Sequence, residues 1–65
     1  DLMLNRLWLT DEQAKTLARA IRSQIQYLYK CADEMHAERA FQIEEKYINE
    51  ANELMDILDI IDREV

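Results

Sequence analysis

The sequence predicts an all-α fold: an antiparallel helical hairpin that homodimerises into a four-helix bundle. Three observations carry that expectation. None of the 65 residues is Gly or Pro, where average usage would supply roughly seven or eight, so little in the chain is suited to breaking a helix. Thr10-Asp11-Glu12-Gln13 has the form of a capping box, a helix start. Beyond it, apolar residues recur in alternating steps of three and four, the spacing of a helical seam, with one break in phase.

Taken in order, residues 1–9 read as an apolar arm. Leu2, Met3, Leu4, Leu7, Trp8 and Leu9 are interrupted by Arg6 and are followed by no small-residue cleavage site, so no signal peptide is expected. Thr10 then caps a helix expected over residues 10–33. Asp11 and Glu12 suit its positive end, and Leu9 is placed to act as a hydrophobic staple. Its apolar positions are Ala14, Leu17, Ala18, Ile21, Ile25, Leu28, Ala32 and Met35.

Continued further, that register meets Arg39, Gln42, Lys46 and Asn49, all polar. The apolar seam resumes two residues out of phase, at Ala37, Ala40, Tyr47, Ala51, Leu54, Leu58 and Ile61, with Glu44 its one charged member. Phe41, Ile48 and Met55 widen this second stripe. Either the chain reverses near residues 33–37, or one long helix absorbs a stutter with its seam passing through His36. The breadth of the second stripe favours reversal, with a second helix over residues 37–63. The core and dimer seam is then expected from Ala14, Ala18, Ile21, Ile25, Leu28, Tyr47, Ala51, Leu54, Leu58 and Ile61.

Size points to self-association. A chain this short buries only about 60% of its unfolded surface and needs a staple or a second copy. Cys31 is the single cysteine and cannot close a disulfide within the chain. With His36 it falls short of the four or so ligands of a structural zinc site. One unpaired cysteine suits a reducing, cytoplasmic setting, and no apolar run approaches a membrane span.

Net charge is −6 and unevenly placed. Residues 1–30 hold five bases against three acids, a balance of +2, and residues 31–65 hold three bases against eleven acids, a balance of −8. The halves suit each other as paired helices, or the second offers an acidic surface to a basic partner. Overall acidity argues against tight non-specific DNA binding.

Asp33 and His36 share a helix face, but converging core carboxylates would be needed to make a metal site, so His36 reads as a turn or surface residue. Cys31 would need a base and an orienting third group to act as a nucleophile. No phosphate loop is possible without glycine. No enzymatic activity, cofactor or small-molecule substrate is expected. Two interaction surfaces remain. Leu4, Leu7 and Trp8 of the arm would meet Ile57 and Ile60 at the tip of the second helix, as a sealed cap or a protein-binding site. Lys15, Arg19, Arg22, Gln24 and Gln26 form a basic-polar stripe with Tyr27 and Tyr29 nearby, suited to structured RNA.

The stretch Ala18-Arg19-Ala20-Ile21-Arg22-Ser23-Gln24 resembles the first-helix segment of the Rop (repressor of primer) family. The similarity extends without gaps through Leu28, Glu34, Ala37, Ile43, Glu45, Ala51, Glu53 and Leu54, about two-thirds of the chain. It implies an antiparallel hairpin that dimerises into a four-helix bundle and holds an RNA–RNA complex on its paired first helices. Of the family's RNA-contacting pattern Gln24 matches, while Ala20, Leu9 and Cys31 stand at its aromatic and lysine positions. The expected role is therefore a small non-enzymatic intracellular regulator or adaptor that binds another protein, with a Rop-like RNA-binding module as the alternative.

Overall fold

The computed structural model describes residues 8–64, which form two helices, α1 (Asp11–Ala37) and α2 (Phe41–Glu64), packed against each other as a hairpin. The continuous helix with a stutter is thereby excluded. Thr10 is the N-cap of α1, with extended backbone at φ −71° and ψ 161°. Its Oγ1 accepts from the Gln13 N–H at 3.1 Å, and Gln13 Oε1 accepts from the Thr10 N–H at 3.0 Å, so two otherwise orphaned donors are satisfied reciprocally.

The reversal falls at residues 38–40, one helical turn beyond the 33–37 expected. Arg39 N–H donates to the His36 carbonyl at 3.0 Å and Ala40 N–H to the Met35 carbonyl at 2.8 Å. Arg39 adopts φ 60°. This is the Schellman arrangement, in which a left-handed residue folds the last turn back onto its own carbonyls. Glycine usually fills that position without steric cost, whereas an L-residue there costs about 1–2 kcal/mol. Met35 and Ala40, both half-buried, occupy the two positions that normally touch across the motif. The turn thus follows directly on the last seam residue of α1.

Ala37, expected to open the second seam, instead ends α1 and is exposed, while Ala40 is half-buried. Leu17 also departs from expectation: it is exposed, and Ala18 beside it takes the inward position. Both are apolar and adjacent, so spacing admitted either.

Of the expected apolar positions, Met35, Ala40 and Ile48 are half-buried outside the core cluster and Phe41 is exposed. Ala14, Ala18, Ile21, Ile25, Leu28, Ala51 and Ile61 are buried together, with Leu9, Tyr47, Leu54, Met55 and Leu58 partly buried against them. Ala32 is buried as well. Among the described residues four of the eight buried are alanine, which lets the helix axes approach but buries little apolar area. Leu28, 2% exposed, is the one large side chain fully enclosed among the described residues. This core is thin for a protein of any size.

Candidate functional site

Side-chain contacts between the helices define one flank of the hairpin. Arg22 Nη2 lies 3.7 Å from Asp62 Oδ2, and the Tyr29 hydroxyl is 3.8 Å from Met55 Sδ. Near the turn, His36 Nδ1 lies 3.1 Å from Glu44 Oε2, and its ring meets Phe41 edge-on at 5.6 Å between centroids. Arg22, Tyr29 and His36 recur every seven residues on α1, beside the buried row, so they share a face. Asp62 and Met55 do the same on α2.

At the open end of this contact flank, Lys15, Arg19 and Arg22 surround a concavity of about 500 Å³ that Asp11, Ala14, Ala18, Ile61 and Asp62 also line. The spacing of α1 therefore brings three of the five expected RNA-contacting residues together. Gln24 and Gln26 are exposed and do not line the concavity. Gln24, about 200° around the helix from Arg22, stands on the other side of the hairpin. Arg22 is held by an exposed pair with an acid of α2, a contact worth about 0–1 kcal/mol. Among the described residues, Lys15 and Arg19 have no ion-pair partner.

The opposite flank carries exposed apolar residues, interspersed on α2 with Lys46, Glu50 and Glu53. Leu17, Ala20, Gln24, Tyr27 and Cys31 follow one another on this side of α1, and Ile43, Ile57 and Ile60 on this side of α2. Leu17, Tyr27, Ile43, Ile57 and Ile60 are five of the eight large hydrophobic residues left exposed among the described residues. The pairs Arg22–Asp62 and Tyr29–Met55 set the level of the helices: Ile60 comes level with Gln24, and Ile57 with Tyr27. A shallow concavity of about 510 Å³, lined by Thr10, Glu12, Gln13, Thr16, Leu17 and Ala20, extends this flank toward the open end. Along it, Cys31 holds the Tyr27 hydroxyl above its ordinary range. The Cys31 side chain, one helical turn on, is the main cause; Tyr47, burial and Glu34 add to it.

Of the expected arm-and-tip site, Ile57 and Ile60 lie exposed on this flank and Trp8 is 68% exposed at φ 57°. Leu4 and Leu7 lie outside the described residues. Sequence spacing singles out Ile57 and Ile60 for this site, and places Leu17 in the seam and Tyr27 beside the basic-polar stripe instead. Tyr27 comes level with Ile57 only once the helices are placed, while Leu17 lies two helical turns nearer the open end than Gln24.

Among the described residues no three His, Cys, Asp or Glu side chains are grouped so as to hold a metal ion, and no helix is long and apolar enough to cross a membrane.

Comparison with family models, curated proteins and solved structures gives no match. The resemblance to the Rop family therefore rests on the quoted residues alone.

Proposed function

We propose that this protein is a small non-enzymatic regulator or adaptor of the cytoplasm, acting through protein–protein contact as a homodimeric helical bundle. The observation that carries this reading is the apolar flank. Leu17, Ile57 and Ile60 stand exposed on it while the core between the helices is half alanine. A single two-helix layer struggles to offset an ordering cost of about 1.5 kcal/mol per residue. Covering that flank removes apolar surface from water at roughly 25 cal/mol per Å². Thermal unfolding followed by circular dichroism tests the reading directly. The midpoint of an obligate dimer rises with protein concentration, and a midpoint independent of concentration would refute self-association.

A Rop-like RNA-binding role has one specific observation in its favour, the grouping of Lys15, Arg19 and Arg22 around the open-end concavity. It calls for affinity toward structured RNA that falls steeply with salt. Fluorescence anisotropy with an RNA hairpin pair at low and high salt measures this. Weak, salt-independent binding favours the protein-contact reading, and Arg19→Ala with Arg22→Ala abolishing tight binding would favour RNA.

A further inference from the structure

We infer that the open-end concavity of the contact flank docks an acidic helix of another protein, whose carboxylates pair with Lys15 and Arg19. The inference rests on the protein-contact reading proposed above and names a partner other than the second copy. Lys15 and Arg19 are exposed and, among the described residues, without an ion-pair partner. Their place in the hairpin explains why. Arg22 marks the level of Asp62, its partner at 3.7 Å. At 1.5 Å per residue, Arg19 and Lys15 stand about 4.5 and 10.5 Å beyond that level, toward the open end. Asp62 therefore serves Arg22 and not them.

The arrangement selects a helix with a short acidic stretch. Lys15 and Arg19 are one helical turn apart, roughly 6 Å, the spacing of two carboxylates at i and i+4 of a partner helix. The floor beside them is Ala14, Ala18 and Ile61, so nothing bulkier than isoleucine holds that helix away. Asp11 lies one turn before Lys15, and Asp62 is level with Arg22, so carboxylates bracket the two unpaired cations. A helix whose acids are confined to one turn fits between those brackets. A nucleic-acid strand, with a phosphate at every step, would run past both. Among the described residues no aromatic side chain lines the concavity to stack on bases. The net charge of −6 also repels a long polyanion, while a local pair of cations still attracts a single acidic turn.

Titration of the isotope-labelled chain with designed peptides, followed by amide shifts in nuclear magnetic resonance, tests the site. The probe is an alanine-rich helical peptide with glutamates at i and i+4 and a leucine at i+3. One control replaces both glutamates with glutamine, and a second moves them to i and i+2, on different faces. The probe should shift amides around Ala14, Lys15, Arg19 and Ile61, and both controls should bind about tenfold more weakly, the worth of two exposed ion pairs. Lys15→Gln with Arg19→Gln should weaken the probe by the same factor. Both positions are exposed, so the fold tolerates the changes. Absent binding, equal binding of probe and controls, or shifts centred on Leu17 and Ile57 would each overturn the inference. An RNA hairpin that moves the same amides at lower concentration than the probe would overturn it in favour of RNA. All the lining residues belong to one chain. A single-chain mass by light scattering with probe binding intact would therefore overturn the homodimer and uphold the site.

Discussion

His36 Nδ1, in the last turn of α1, lies 3.1 Å from Oε2 and 3.2 Å from Oε1 of Glu44, in the first turn of α2. Glu44 is the charged member of an otherwise apolar seam, and its side chain is only 20% exposed. The contact gives that carboxylate a partner at the point where the negative end of one helix meets the positive end of the next. His36→Ala should lower stability by up to about 1 kcal/mol, the range for a partly exposed pair. Glu44→Leu, which replaces the carboxylate with an apolar seam residue, should be neutral or stabilising. Urea unfolding midpoints decide both, and a large loss with Glu44→Leu would show that the carboxylate holds the turn.

The left-handed Arg39 makes the turn a site of stored backbone cost. Arg39→Gly should raise stability by about 1 kcal/mol, because glycine adopts φ 60° without a Cβ clash. The same substitution at exposed Ala37, inside α1, should instead destabilise by about 1 kcal/mol. An unchanged midpoint for Arg39→Gly would show that the turn carries no such cost.

Why the reversal was misplaced in sequence follows from the same residue. Thr10 and Gln13 are polar side chains that announce a helix start, and the capping box formed as their spacing implies. Arg39 announces nothing, because the left-handed backbone it adopts is ordinarily marked by Gly or Asn. The break in phase showed only that two seams exist, and Met35, the last residue of the first, was the better guide to where α1 ends. Leu17 and Ala18 show a second limit. Two adjacent apolar residues fit one seam equally well until the partner helix chooses between them. The apolar flank was harder still to read, since Leu17 and Tyr27 lie thirty or more positions from Ile57 and Ile60 in the chain.

Truncation separates the core from the flank. Leu28→Ala should cost about 2–5 kcal/mol, the range for a buried leucine. Leu17→Ala should leave the unfolding of dilute protein within about 0.5 kcal/mol, as an exposed site does, and weaken association instead. Unfolding at two protein concentrations distinguishes the effects. A large, concentration-independent loss from Leu17→Ala would assign that side chain to the intrasubunit core.

Tyr27 offers a spectroscopic handle on the flank. Because the Cys31 side chain disfavours its ionisation, the Tyr27 phenol should ionise above the usual value of about 10. A group whose folded pKa is raised contributes stability below its unfolded pKa and loses that contribution as pH rises through the folded one. The contribution is therefore present at neutral pH and fades in alkali. Ultraviolet titration of tyrosinate should show one midpoint move down in Cys31→Ala. Identical titrations would deny the influence of Cys31.

Self-association is the claim on which the functional reading turns, and sedimentation equilibrium at micromolar concentration measures it most directly. The expected mass is twice the 7.8 kDa of the chain, falling toward one chain mass when Ile57→Asp and Ile60→Asp are combined. A folded, helical species of single-chain mass for the unaltered protein would contradict it.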